Sequence, residues 1–210
     1  MPRKDKTVYG ETKDEQLFNI ALELCLIWIN RILFLKLLEG QLITYHKENN
    51  EYRFLNSEML NDFDELYKLF HQVLARNIND RTTNIKQKYS YVPYLNSSLF
   101  EISELEDLTI KINSLDNSET VDLINTTVLK EEKKKGSKLP VLEYLLKFLD
   151  AFNFASEGGE DIAEDNKSII NASVLGKVFE KINGYKDGSI FTPGFITIYM
   201  SRQSLRLAVV

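Results

Sequence analysis

The stretch DEQLFNIALELCLIWINRILFLKLLE, residues 14–39, decides the fold. Its apolar residues recur at steps of three and four, which predicts one long helix. Asp14 is a suitable N-cap, and Gly40 stands where such a helix would stop. Around residues 32–34 the stretch is apolar on more than one side, so we expect this helix to be central to the core. The predicted inward face comprises Leu17, Ile20, Ala21, Leu24, Ile27, Trp28, Arg31, Leu35 and Leu38.

The rest of the chain predicts shorter elements and a mainly α fold, an irregular helical domain with a few short strands. Residues 41–45 and 52–55 could pair as a short hairpin, and residues 108–112 and 121–128 alternate like strands. The run KEEKKKGSK, residues 130–138, reads as a charged loop. Further helices are predicted over residues 61–76, 82–88, 173–183 and 193–207, and from Pro140 onward.

Composition excludes several classes of protein. The 210 residues are 43% hydrophobic and 27% charged, which is ordinary for a globular chain. The single cysteine, Cys25, excludes a disulfide framework and a cysteine zinc site, and we expect its thiol to be buried and inert. The two histidines, His46 and His71, are too far apart in sequence to form a ready metal pair. We therefore predict no metal site and no catalytic residue in this chain.

The net charge and the hydropathy pattern indicate where the protein is located and what it can bind. The net charge of −5 argues against binding nucleic acid through bulk positive charge. The first residues, MPRKDKTVYGETKDEQ, contain no signal-peptide core. The longest apolar stretch, residues 17–38, is interrupted by polar and charged side chains, so it does not predict a membrane span. We expect a cytoplasmic protein that does not contact membranes.

Glycine and proline usage excludes a complete nucleotide-cofactor enzyme. No G-x-G occurs in the sequence, and no two prolines are adjacent. The Gly158-Gly159 pair lies in an acidic stretch that would repel phosphate. The chain therefore lacks the glycine-rich turn that cradles a nucleotide cofactor.

The most informative segment is LGKVFEKINGYKDGSIFTPGFIT, residues 175–197. Thr192 is a good N-cap and Pro193 a good first helical residue, so the Thr-Pro pair predicts a helix start. The N-terminus of a helix presents free N–H groups and partial positive charge, which suit an anion.

Three parts of the sequence together resemble one enzyme family. Residues 175–193 resemble the LG-x-x-[FY]-E and Thr-Pro elements of type I and type IIG DNA adenine-N6 methyltransferases. PYLNSSLFE, residues 93–101, looks like the PYLN-x-x-LFE element of type IIG enzymes, and NRILFLKLLE, residues 30–39, looks like their preceding core helix. Residues 148–154 resemble the segment that leads into the LG element. The resemblance covers roughly residues 17–207, in family order.

The resemblance implies a restriction–modification enzyme that methylates adenine N6 in double-stranded DNA with S-adenosylmethionine. Where such an enzyme also carries a nuclease, it cleaves unmodified DNA and uses Mg²⁺. The family places the Thr-Pro element beside the methionine end of the cofactor, which gives Phe191, Thr192 and Pro193 a cofactor-binding role. Ile190 departs from the pattern, since many members have an aromatic residue there. The elements that hold adenine are missing from this sequence and would follow it.

The resemblance also implies a division of the chain. We expect a flexible N-terminus (1–13), a helical connector domain (14–155), an acidic linker (156–166) and the N-terminal segment of a truncated α/β methyltransferase domain (167–210). The final LRLAVV stops in mid-pattern, so we expect a longer parent chain. The partners would be DNA, reached through the full-length enzyme, and adjoining nuclease, methyltransferase and target-recognition domains. This segment alone would be inactive.

Several alternatives stay open. The chain could be a stand-alone helical interaction module, or a non-catalytic subunit that partners a separate methyltransferase. The aromatic stretch 89–100, with Lys86 and Lys88 nearby, is either a packed loop or a base-stacking platform. We favour a packed loop, because the stretch mixes aromatic residues with turn-forming residues.

Overall fold

The computed structural model describes residues 9–47, 49–95, 97–154, 170, 172–187 and 194–208. Within these residues the fold is mainly α, as predicted, with a small two-stranded sheet. The α-helices are α1 (Lys13–Tyr45), α2 (Phe63–Lys68), α3 (Thr83–Lys88), α4 (Glu104–Leu108), α5 (Lys130–Lys135), α6 (Val141–Asp150), α7 (Ala172–Asp187) and α8 (Gly194–Ala208). The strands are β1 (Thr120–Asp122) and β2 (Lys138–Pro140).

Helix α1 is longer than predicted at both ends. Its N-cap is Thr12 rather than Asp14, because the Thr12 hydroxyl accepts the Glu15 N–H while the Glu15 carboxylate accepts the Thr12 N–H. At the other end the helix continues to Tyr45. Lys47 then takes a left-handed conformation with φ of 57°, which turns the chain away from the helix axis.

Gly40 does not stop the helix, because its role is tertiary. A Cβ atom at this position would overlap the carbonyl oxygen of Phe154, which lies directly against the helix. The missing side chain therefore lets the segment after α6 approach α1. Sequence patterns associate glycine with helix ends, so they cannot separate this use from a stop signal.

The predicted hairpin is wrong. Residues 41–45 form the last turn of α1, and Asn50–Tyr52 form a 3₁₀ turn rather than part of a strand. The apolar residues that suggested a strand continue the helix instead, since no glycine or proline interrupts it between residues 41 and 45.

The predicted helix over residues 61–76 is present but changes its winding. Helix α2 passes into a π-helix, Leu69–Leu74, which the N–H of Ala75 closes on the carbonyl of Phe70. The wider turn brings Leu69, Phe70, Val73 and Leu74 all into the core. The π-helix thus buries all four of these neighbouring apolar residues, whereas a regular amphipathic helix buries a single stripe of apolar side chains.

The predicted strands are corrected as well. Residues 108–112 are not a strand, since they run from the end of α4 to a 3₁₀ turn at Ile112–Ser114. The strand predicted over 121–128 is reduced to β1, which pairs antiparallel with β2 in the register Val121 to Leu139. The charged segment 130–138 is not a loop, because it forms α5 and begins β2.

One core joins elements that are distant in sequence. Helix α1 contacts α4 and α7, α2 packs on the 3₁₀ turn at Ile112–Ser114, and the π-helix contacts a 3₁₀ turn at Ser98–Phe100. Residues 1–8 and the predicted acidic linker 156–166 lie outside the described residues, so the predicted division into domains stays a prediction. The most deeply buried apolar residues include Leu35, Phe54, Leu66, Leu69, Phe70, Val73, Leu74, Tyr89, Val92 and Phe100.

Candidate functional site

The predicted cofactor-binding residues Phe191, Thr192 and Pro193 lie outside the described residues. Helix α8 begins at Gly194, directly after them. The helix predicted from residue 193 is thus found over Gly194–Ala208. The first turn of such a helix presents N–H groups that have no acceptor within the helix.

Helix α7, which carries the LG and FE elements, is anchored on the core. Leu175 is only 3% exposed and belongs to the core cluster, and Phe179 packs against that cluster. Helix α7 contacts α1, the central helix. The segment that leads to the Thr-Pro element is therefore attached to the helical domain by apolar packing.

Helix α8 differs, because its apolar side chains are exposed. Phe195 is 73% exposed and Tyr199 is 64% exposed. An apolar groove runs along this helix, lined by Phe195, Ile196, Ile198, Tyr199 and Arg202. Isolated helices of about 15 residues are marginal in water, so a helix of this composition normally gains stability by covering its apolar side chains.

A buried ion pair links α1 to α4. The Arg31 guanidinium makes two hydrogen bonds with the Glu106 carboxylate, at 2.6 and 2.9 Å, and both residues are 1% exposed. The indole N–H of Trp28 also donates to Glu106, at 2.8 Å. Two further Arg31 donors reach the carbonyl oxygens of Leu99 and Glu101. Four of the five N–H groups of the guanidinium are thus hydrogen-bonded.

This network is structural rather than catalytic. Burial alone would raise the pKa of Glu106, but hydrogen bonds from Arg31, the Ser103 backbone and Trp28 outweigh it and hold the pKa at about 2. The carboxylate is ionised at neutral pH, and no solvent reaches it. A group that is permanently charged and sealed from substrate cannot act as an acid or base.

A second buried network joins α1 to α6. The Lys36 ammonium bridges the carboxylates of Glu39 and Asp150. The other oxygen of Glu39 accepts the backbone N–H groups of Phe54 and Leu55, each at 2.7 Å. One carboxylate therefore satisfies two buried amides that no strand or helix pairs.

Two further polar side chains lie in or beside the core, one of them buried and the other half-buried. Arg81 is 4% exposed and donates to the carbonyl oxygens of Arg76, Tyr89 and Val92, and burial lowers its pKa. Burial likewise lowers the pKa of His71, whose Nδ1 lies 2.7 Å from the Phe100 carbonyl oxygen. Both side chains tie loops to helices, and each keeps one buried nitrogen, His71 Nε2 or Arg81 Nη2, without a hydrogen-bond partner in the described part of the chain.

The prediction for Cys25 is wrong. Its side chain is exposed on α1. In the described ranges, His, Cys, Asp and Glu form no group of three or more that could hold a metal ion. None of the helices described there has the length and apolar character that crossing a membrane requires.

The aromatic stretch 89–100 is a packed loop, which confirms the favoured alternative. Tyr89, Val92 and Phe100 are completely buried. Tyr91 remains half-buried at the surface, where its ring meets that of Tyr52 edge-on at 5.6 Å. The loop thus supplies one ring to a surface that sequence analysis did not identify.

Sequence reasoning placed Arg31 on the inward face of α1 but missed its partner. Glu106 is recognisable in the sequence as the N3 residue of a capping box whose N-cap is Ser103. Nothing in the sequence signals that the same carboxylate also receives Arg31 and Trp28. The Lys36–Asp150 pair is equally invisible, because the two residues are 114 positions apart.

Comparison with known proteins gives a family. The sequence profile described as "Domain of unknown function (DUF7814)" matches residues 2–170. The chain belongs to the DUF7814 family. The match covers α1 to α6 of this DUF7814 protein and stops before α7 begins. No curated protein and no solved structure shows significant similarity to the chain.

Proposed function

We propose that this DUF7814 chain is the helical connector and the N-terminal methyltransferase segment of a type IIG-like restriction–modification enzyme. The complete enzyme transfers a methyl group from S-adenosylmethionine to adenine N6 in DNA, in the cytoplasm. Where it carries a nuclease, which would use Mg²⁺, it also cleaves unmodified DNA. The connector joins the other domains and presents Phe191, Thr192 and Pro193 to the cofactor.

One observation carries the proposal. Helix α7, with its LG and FE elements, is fixed to the core through Leu175, whereas α8, just beyond the Thr-Pro element, exposes a run of apolar side chains. A connector needs this asymmetry, since one side must be anchored and the other must be free to join the next domain. The partner proposed for α8 is the methyltransferase domain.

The start of α8 also fits the anionic end of the cofactor. Gly194 begins the helix, and no acidic residue occurs in Gly194–Ala208. The N–H groups of the first turn are suited to a carboxylate such as that of methionine. S-adenosylmethionine supplies the methyl group, while these residues would bind and orient its methionine end.

The proposal is tested on the native protein from its source cells. We expect an antibody against this chain to detect a polypeptide several times larger than 24.4 kDa, and the immunopurified protein to transfer labelled methyl groups to adenine in DNA. A band at 24.4 kDa without a copurifying methyltransferase would refute the connector role. A band of that size together with a copurifying methyltransferase would indicate that the chain is a separate subunit.

The site residue is tested by substitution in the same native enzyme. Thr192→Ala should weaken S-adenosylmethionine affinity by about tenfold, because it removes the cap of the helix that faces the cofactor. The matched control is Ser201→Ala, an exposed hydroxyl further along α8. Equal affinities for both variants in calorimetry would remove Thr192 from the site.

A further inference from the structure

Two basic side chains hold three consecutive carbonyl groups of one segment. The Arg31 guanidinium donates to the carbonyl oxygens of Leu99 and Glu101, each at 2.6 Å. Between these two, His71 Nδ1 lies 2.7 Å from the carbonyl oxygen of Phe100. These three contacts are called the carbonyl clamp below.

The carbonyl clamp fixes the segment that leads into α4, residues 98–103. The 3₁₀ turn Ser98–Phe100 begins this segment, and Ser103, the N-cap of α4, ends it. Arg31 reaches the segment from α1, and His71 reaches it from the π-helix. Loss of the His71 contact would therefore free one carbonyl and loosen the attachment of the turn to the π-helix.

The carbonyl clamp is satisfied by an uncharged His71. A carbonyl oxygen only accepts hydrogen bonds, so Nδ1 must carry the proton that is donated to Phe100. In the neutral ring the other nitrogen, Nε2, is then an unprotonated acceptor. Nε2 is buried and has no hydrogen-bond partner among the described residues. A proton added there would create a charged N–H group without an acceptor, which costs more than an unpaired neutral acceptor.

The neighbouring charges also disfavour a charged His71. Arg31, on α1, directs its permanent charge to the same run of carbonyls, and Lys111, which follows α4, adds a second cation. Glu106, on α4, acts in the opposite direction, but its carboxylate is already paired with Arg31. Tyr67, from α2, meets the His71 ring edge-on at 4.7 Å and supplies no negative charge at neutral pH.

The balance of these effects gives the direction of the response to acid. Burial, the largest effect, lowers the pKa of His71 below its ordinary value of 6.5, and the hydrogen bond to Phe100 offsets only part of this. A detached segment would let His71 take up a proton more readily than the closed one does. The closed segment is thus fully favoured above pH 6.5. It weakens as the pH falls below that value, by up to about tenfold for each pH unit.

We propose that the carbonyl clamp is a proton-sensitive latch, which releases segment 98–103 from the π-helix when His71 becomes charged. The latch responds in mild acid, at roughly pH 5–6, where a histidine can titrate and a carboxylate cannot. The pKa of Glu106 is about 2, so its ion pair with Arg31 keeps α4 attached to α1 in that range. The latch is independent of the proposed function.

The test measures hydrogen exchange of the full chain at about pH 7.5 and about pH 5.5, with rates corrected for the intrinsic effect of pH. The amides of Phe100 and Glu101, which bond within the turn, report its opening. We expect them to exchange at least about threefold faster at the lower pH, whereas α6 keeps one corrected rate. His71→Asn retains an N–H donor near the Nδ1 position and cannot become charged, so it should abolish the difference. The control His46→Asn removes the other histidine and should preserve it.

Titration of the histidine resonances by NMR follows the proton itself in the unaltered chain. The His71 signal, identified by its absence from the His71→Asn variant, should titrate below pH 6.5. A midpoint at or above that value would overturn the inference, as would equal corrected exchange of the turn at both pH values. A pH difference that survives His71→Asn, or one that disappears in His46→Asn, would also refute it. Each variant is first checked for an unchanged melting temperature, and the two measurements on the unaltered chain decide the matter if a variant does not fold.

Discussion

Some side chains in this protein form hydrogen bonds with residues that are distant in sequence. Arg31 lies on the buried face of α1, and it meets Glu106 from α4, 75 positions away. The helical periodicity of residues 14–39 predicts that Arg31 points inward. It cannot predict which carboxylate meets it, because periodicity contains only local information.

Removing Glu106 should be among the most damaging single changes. Glu106→Ala leaves the Arg31 guanidinium buried without its counter-ion, and we expect a loss of about 3–5 kcal/mol in the free energy of unfolding. The double variant Arg31→Met with Glu106→Leu should recover much of this loss, because no charge then remains buried. Urea unfolding followed by the fluorescence of Trp28, the one tryptophan, measures both. If the single and double variants had the same free energy of unfolding, the unpaired charge of Arg31 would not be the cause of the loss.

The same carboxylate makes stability dependent on pH. The pKa of Glu106 is about 2 in the folded protein and 4.5 ordinarily, so its stabilisation is complete above pH 4.5 and disappears as the pH falls toward 2. The shift corresponds to roughly 3 kcal/mol. Unfolding at a series of acidic pH values should show a clearly flatter pH dependence for Glu106→Gln than for Glu131→Gln, which alters an exposed carboxylate. Parallel curves would exclude this role.

Two helical glycines should respond in opposite directions to alanine. Gly176→Ala in α7 meets no atom within 4 Å and should stabilise the protein by about 0.5–1 kcal/mol, the usual helix preference. Gly40→Ala in α1 would drive a methyl group into the Phe154 carbonyl and should cost about 1–3 kcal/mol. Thermal unfolding of both variants provides the comparison. A stabilising Gly40→Ala would mean that the segment after α6 does not lie against α1.

At the scale of elements, sequence periodicity predicts the long helices and the short α3, but it misses other short helices. Helix α1 and the helices near residues 61–76 and 173–183 were predicted because several turns of a helical pattern add up. Helices such as α4 and α5 span one or two turns, too few for a period to be visible. The π-helix is also invisible, because tertiary burial of Leu69 to Leu74 selects it over a regular helix.

The docking of α7 depends on one well-buried side chain. Leu175→Ala should loosen α7 while α1 to α6 stay folded, because truncating a buried leucine costs about 2–5 kcal/mol. Hydrogen exchange with mass spectrometry should show at least about tenfold faster exchange in α7 only. Lys177→Ala alters an exposed side chain on the same helix and should not change the exchange. Faster exchange throughout α1 would show that α7 is integral to the core.

At the scale of the whole molecule, the two buried networks unite the chain. One ties α1 to α4 and the other ties α1 to α6, so the central helix at the start of the DUF7814 match is attached to two partners from its second half. The predicted cofactor site could be located in sequence only through its resemblance to a family. Thr192-Pro193 is by itself an ordinary helix start, and physical reasoning alone assigns it no ligand.

Helix α1 is long enough to hold two well-separated residues at a fixed distance. Leu24 belongs to the core cluster, and Tyr45 is the last residue of the helix. At about 1.5 Å per residue, the two positions are separated by roughly 32 Å along a single rod. Inserting or deleting one turn between them would change a distance that the present fold keeps constant.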